Sequence, residues 1–172
     1  MRVTSGLLKN RILTSPTNSQ VRPTSDKVRA ALFSSLGDAV EGSKFLDLFS
    51  GSGAVGIEAY SRGAARITFV EQNPDTLKDN LKLLPKEVYS VITGDLFKAK
   101  VAGRYDIIFI DPPYGQYSCE KILNWIKIQG ILAENGVIAY EESSKTAINF
   151  EEISYTLIKE RKYGDTVIMY FE

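Results

Sequence analysis

The chain has 172 residues, 44% of them apolar and 24% charged, with 21 basic and 21 acidic side chains, the makeup of an ordinary globular domain large enough to bury a core without staples. It has no histidine and one cysteine, Cys119, which excludes histidine-based catalysis, an intramolecular disulfide and the usual zinc ligand sets, so no metal is expected. No stretch approaches the ~18 apolar residues of a membrane span and no leader-like apolar run follows Met1, so a cytoplasmic protein is expected.

Residues 1–21 are polar, with short β-like pieces around Arg2–Thr4 and Arg11–Thr14. Residues 1–29 hold Arg2, Lys9, Arg11, Arg22, Lys27 and Arg29 against Asp26, a net charge of +5, while the rest of the chain carries −5. A basic arm on an acidic body is expected of a segment that faces nucleic acid, and equally of a solvated terminus. Having few apolar side chains, the arm is expected to add little to the core. A helix follows, with Thr24 or Ser25 as its cap, Val28, Ala31, Leu32 and Leu36 at helical spacing, and Gly37 as its stop.

From Lys44 onward strands and helices alternate. Strands are expected over 44–49, 66–71, 88–93, 105–110 and 136–142, and helices over 54–63, 73–84 and 118–128. Asn73 would cap the second of these helices, with Pro74 at its first position. Two β-rich pieces around Tyr163-Gly164-Asp165 end the chain as a hairpin. The pattern predicts an α/β, Rossmann-like fold: a mostly parallel central sheet, helices on both faces, one antiparallel strand from the C-terminal hairpin, and a short β-containing arm in front. With no repeat or linker in view, one domain is expected, an arm over 1–21 and a catalytic core over 22–172.

Two constellations carry chemistry. "FLDLFSGSGAVGIEAY" places Gly51, Gly53 and Gly56 as G-x-G-x-x-G between a strand and a helix, and Glu71 lies twenty residues beyond Gly51 at the end of the next strand. Such a turn lets a ligand approach the backbone while the acid takes ribose hydroxyls, as in NAD enzymes; a tight turn with no ligand has the same look. Asp47, inside the first strand, argues against a pyrophosphate and for a ligand bearing a positive charge. The second constellation is Asp111-Pro112-Pro113-Tyr114, which ends the apolar run Ile107–Ile110. Prolines cannot continue the ladder, so they project a rigid loop from the ligand-binding edge of the sheet.

"LDLFSGSG" resembles the first motif of class I S-adenosylmethionine-dependent methyltransferases. That resemblance implies S-adenosylmethionine as cofactor, with Gly51 and Gly53 under its methionyl part, Asp47 toward its ammonium, Glu71 on the ribose diol and Asp95 of "GDLF" against the adenine. "DPPY" resembles the motif of methyltransferases that act on exocyclic amines. There Asp111 and the Pro112 carbonyl would accept the two N–H groups and leave a nucleophilic nitrogen lone pair, while Tyr114 stacks on a base taken out of its stack. Over its whole length the chain resembles the bacterial RsmD family of small-subunit rRNA guanine-N2 methyltransferases, in "SGLLKNRILTSP", "RPTSDKVRAALF", "FVEQN" and "KYGDT" besides the motifs above. Ala30, Asn10 and Leu96 depart from the residues usual there. The resemblance implies methylation of guanine 966 in 16S rRNA, free or in an assembling small subunit, by a monomer. Lys9, Arg11, Arg22, Thr24, Lys27 and Arg29 would face the RNA. Adenine-N6 methylation of DNA or another RNA shares the DPPY chemistry, and an NAD-dependent oxidoreductase shares the glycine turn.

Overall fold

The computed structural model describes residues 1–15, 25–113 and 115–172. Among them seven strands form one sheet: β1 (Lys44–Leu48), β2 (Arg66–Glu71), β3 (Tyr89–Thr93), β4 (Tyr105–Ile110), β5 (Leu132–Ser143), β6 (Leu157–Tyr163) and β7 (Thr166–Phe171), in the order β3-β2-β1-β4-β5-β7-β6. β1 to β5 run parallel, and β7 lies antiparallel between β5 and β6. The expected architecture is the one found, and it is that of the class I methyltransferases.

The strands are apolar on both sides because both faces of the sheet are covered. Phe45, Ile107 and Phe109 pack with residues of α1 (Asp26–Leu36), α2 (Ala54–Ser61) and α3 (Asp75–Asn80). Leu46, Leu48, Ile108 and Ile110 point the other way, toward α4 (Cys119–Gln129). The strand order reverses between β1 and β4, and that switch point opens a crevice at the carboxyl edge of the sheet. No helix among the described residues is long and apolar enough to cross a membrane.

Ser25 caps α1, accepting the Val28 N–H at 3.2 Å; Thr24, the other candidate, lies outside the described residues. α3 is shorter than expected and does not use Asn73 as its cap. The Asn73 N–H is donated to Glu71 at 2.9 Å, and the helix starts at Asp75 after Pro74 and passes into a 3₁₀ turn at Leu81–Leu83. β5 begins at Leu132, four residues earlier than expected, because Asn135 (φ 61°) and Gly136 absorb a shift in register between the pairs Tyr105–Leu132 and Ile107–Val137.

The arm corrects two expectations. It is a hairpin closed by a bridge between Arg2 and Ile12 and built into the body. Val3 and Leu13 are 0% and 2% exposed and belong to the core, and Thr4 and Ser5 donate to the buried Glu58 carboxylate at 2.7 and 3.0 Å. Arg29, expected on an RNA-facing surface, is 0% exposed. Its guanidinium pairs with Asp26 at 3.0 Å and Glu58 at 3.4 Å and donates to the Arg2 carbonyl, so its charge is spent tying α1, α2 and the arm together.

Candidate active site

The turns that follow β1, β2, β3 and β4 all open on one edge because these strands are parallel. They bring Gly51, Glu71, Asp95 and Asp111 to the two sides of the switch point. Gly51 (φ 55°) donates its N–H to Glu71 Oε2 at 2.7 Å. Glu71 thus grips the glycine turn with one oxygen and the Asn73 N–H with the other. A Cβ added to Gly51 would meet no atom within 4 Å, so the turn borders open space in which a ligand can approach the backbone. Gly53 has a different reason to be glycine: it is left-handed (φ 77°), and a Cβ there would lie 2.4 Å from Leu77.

Asp47 is 1% exposed and accepts the Gly56 N–H at 2.9 Å. Burial pushes its pKa up to about 8; the Gly56 bond opposes this, and the negative charges of Asp111 and Glu71 add to it. Three carboxyl groups from three strands therefore share one electrostatic neighbourhood, a setting suited to a ligand with a cationic group and hydroxyl donors. Asp95 caps the 3₁₀ turn Leu96–Lys98, accepting the Phe97 N–H at 3.0 Å. Asp111 is half-buried and Pro112 buried at the tip of β4; Tyr114 lies outside the described residues.

Three aromatic side chains at this edge escaped sequence reading. Phe49, a non-glycine residue at φ 59°, packs its ring 5.1 Å from that of Tyr117, which lies 5.7 Å from Phe97. The Lys121 ammonium sits 4.5 Å over Phe97. They come from three separate turns, so no spacing links them; the only sequence signal is an aromatic just past a strand end. All three are half-buried, and they flank Asp95 and the segment after Asp111.

Of the basic residues expected to face RNA, Lys9, Arg11 and Lys27 are exposed, Arg29 is not, and Arg22 and Thr24 lie outside the described residues. Lys9 and Arg11 are not beside Asp111. The turn that carries them is bonded to Ser61, with Leu7 and Leu8 donating at 2.7 and 2.8 Å, and Ser61 ends α2 about 12 Å along the helix from the glycine turn.

The model of the family described as "Conserved hypothetical protein 95" matches residues 1–172. "Ribosomal RNA small subunit methyltransferase D" of Buchnera aphidicola subsp. Acyrthosiphon pisum is 36% identical over 165 residues, 92% of this chain and 86% of that protein. "Putative rRNA methyltransferase YlbH" of Bacillus subtilis is 33% identical over 181 residues, 100% of this chain and 98% of that one. The solved structure "Putative methyltransferase yhhF from Escherichia coli" superposes with a TM-score of 0.84 at 29% identity, covering 99% of this chain and 96% of the other.

Proposed function

The chain belongs to the "Conserved hypothetical protein 95" family, and from that premise we propose that it is a cytoplasmic, monomeric methyltransferase that uses S-adenosylmethionine to methylate the N2 amine of a guanine in small-subunit rRNA. The observation that carries the reading is the position of Asp111-Pro112: at the tip of β4, across the switch point from the Gly51 turn, with the charges of Asp111 and Glu71 both felt at Asp47.

The cofactor, when bound, supplies an electrophilic methyl group on a sulfonium. The open space over Gly51 and the cluster of acids fit such a cation. Gly51 and Gly53 would border its methionyl part, Asp47 would help hold its ammonium, Glu71 would accept from the ribose and Asp95 from the adenine amine. The chain's own part in the chemistry lies at β4. An exocyclic amine gives its lone pair to the ring; the Asp111 carboxylate and the Pro112 carbonyl, each accepting one N–H, favour a pyramidal nitrogen whose lone pair can attack in line. The nitrogen must then lose one proton, and Asp111, already accepting that N–H, is positioned to take it. Lys9, Arg11 and Lys27 would meet rRNA phosphates, contacts that position the RNA without reading its sequence.

The test is transfer of a labelled methyl group to small-subunit rRNA, free and in assembled particles, from a strain lacking the modification, with mapping of the product. Label on a guanine N2 supports the reading. Label on adenine N6, or a thermal shift with NAD and none with S-adenosylmethionine, overturns it.

A further inference from the structure

Asn80, the last residue of α3, is 3% exposed and joins two segments that are distant in the chain. Its Oδ1 accepts the Thr14 N–H at 2.8 Å, and its Nδ2 donates to the Thr14 carbonyl at 3.0 Å and to the Ser52 carbonyl at 2.9 Å. The first two bonds grip both backbone groups of Thr14, as a neighbouring strand would. They also fix which way round the amide lies, since the reverse would set its NH₂ against the Thr14 N–H. The third bond reaches into the glycine turn, where Ser52 sits between Gly51 (φ 55°) and Gly53 (φ 77°). The peptide unit joining Ser52 to Gly53 is thereby held at both ends: its N–H is donated to the Ser50 carbonyl at 2.7 Å, and its carbonyl takes the Asn80 amide. A peptide unit followed by glycine turns over at little steric cost, because glycine adopts either sign of φ. The glycines that let a ligand reach the backbone therefore also leave the turn free to change shape, and something else must fix it. Glu71 holds the Gly51 N–H, Ser50 the Gly53 N–H and Asn80 the Ser52 carbonyl. Of these three, Asn80 is the one whose side chain is also bonded to the arm.

We propose that Asn80 is a positioning residue for the cofactor: it holds the Ser52–Gly53 peptide in the orientation that receives the methionyl part of S-adenosylmethionine, and, because the same amide grips Thr14, docking of the arm and binding of the cofactor favour each other. The inference rests on S-adenosylmethionine as the cofactor of the proposed function and not on which RNA amine takes the methyl group. Leu13, 2% exposed in the core, seats Thr14 beside Asn80. When the arm loosens, the amide loses two of its three bonds and is free to rotate away from Ser52. Coupling between two binding events is reciprocal, so a cofactor that needs the ordered turn must in its bound state hold the arm more firmly.

The test uses the full chain and S-adenosylhomocysteine. Asn80→Ala should bind it about 10-fold more weakly by calorimetry, the scale of one lost hydrogen bond. In methyl transfer, kcat should hold at saturating cofactor while KM for S-adenosylmethionine rises by the same factor. A purely structural role would lower the melting temperature and leave the affinity of the folded protein unchanged. Leu13→Ala, a change in the arm, should weaken binding by about 5-fold when Asn80 is present and add nothing in the Asn80→Ala background, because the arm acts through that amide. In the wild type, S-adenosylhomocysteine should slow hydrogen exchange of the Thr14 N–H. Wild-type affinity in Asn80→Ala, additive losses in the double variant, or exchange at Thr14 that ignores the ligand would each overturn the proposal. Where Asn80→Ala does not fold, the affinity of Leu13→Ala and the exchange of Thr14 in the wild type decide. A wild type that binds S-adenosylhomocysteine while both single variants bind it equally well overturns this inference alone; a wild type that does not bind it overturns the functional reading as well.

Discussion

The Asp47 carboxyl accepts the backbone N–H of Gly56 at 2.9 Å, nine residues further along the chain. α2 begins after Gly53, which has no side chain to cap the first free N–H groups. An acid inside β1 does this instead. The approach is close because α2 lies tight on β2: a Cβ on Gly56 would come within 2.3 Å of the Phe69 ring. One residue thus both caps the helix that follows the glycine turn and lends the site its buried acid.

The first prediction concerns the pH dependence of this acid. Asp47 ionises near 3.8 in the unfolded chain and near 8 in the folded one. Between those values the unfolded chain has lost a proton that the folded chain keeps, so the contribution of Asp47 to stability is full below the lower value and lost as pH rises to the upper one. Asn at this position can still accept from Gly56 and does not titrate. The melting temperature of Asp47→Asn relative to wild type should therefore climb from about pH 5 to about pH 8. A difference that stays flat across this range would show that Asp47 is ionised throughout.

Asp111→Ala should leave binding of S-adenosylmethionine near normal while lowering methyl transfer by about two orders of magnitude or more, the scale of removing one hydrogen bond made in the transition state. Asp111→Asn should be milder, since its carbonyl still accepts one N–H. Calorimetry and single-turnover transfer separate the two effects, and normal turnover in the Ala variant would assign the amine to another acceptor.

Arg29 and the arm's other basic residues should behave oppositely. Arg29→Ala leaves the buried Glu58 with Arg62, at 2.9 Å, as its remaining ion-pair partner among the described residues, and should destabilise the fold by about 3 kcal/mol or more. Lys9→Ala/Arg11→Ala should change stability by no more than about 0.5 kcal/mol, while the log–log salt slope of rRNA binding shrinks by about 0.7–0.9 for each phosphate left without its cation. Urea unfolding and salt-dependent binding read the two outcomes.

Leu13→Ala should cost about 2–5 kcal/mol, as for a buried leucine in a packed core, and removal of residues 1–13 should cost more, since Glu58 is then also deprived of Thr4 and Ser5. A truncated chain that unfolds at the wild-type urea midpoint would contradict the built-in arm.

Cys119 is buried, and its thiol pKa is pushed upward by burial and by Glu120 and Glu142. It should not react with a thiol reagent in the native protein at neutral pH and should react fully once unfolded. Rapid native labelling would mean that the start of α4 opens readily.

What the sequence made legible was local. β4 spans Tyr105–Ile110 as expected, because an apolar run closed by Asp-Pro-Pro leaves little choice of boundary. The placing of Glu71 and Asp111 at one edge also followed, since residues at the ends of parallel strands meet there, with Asp47 buried just inside β1. The start of β5 was hidden, because Glu134-Asn135-Gly136 has the composition of a turn while serving as an irregularity within a strand. Arg29 was misplaced for a different reason. In a charge count it belongs to the basic arm, and only Glu58, twenty-nine residues away, reveals that it is internal. The Phe49, Tyr117 and Phe97 rings meet from three turns, a proximity that no period records.

The anchoring of the arm bears on how the chain acquires its structure. Thr4 and Ser5 find their acceptor on Glu58, and Thr14 finds its partner on Asn80, 53 to 66 residues later in the chain. As the polypeptide leaves the ribosome, the arm lacks these two partners until α2 and α3 have emerged, at about 5–20 residues per second. Pairings of such long separation are slow to close, so Val3 and Leu13 remain exposed for seconds during synthesis. Docking of the arm is then a late event, so a defect at Glu58 would leave the folding rate nearly unchanged and show itself as faster unfolding.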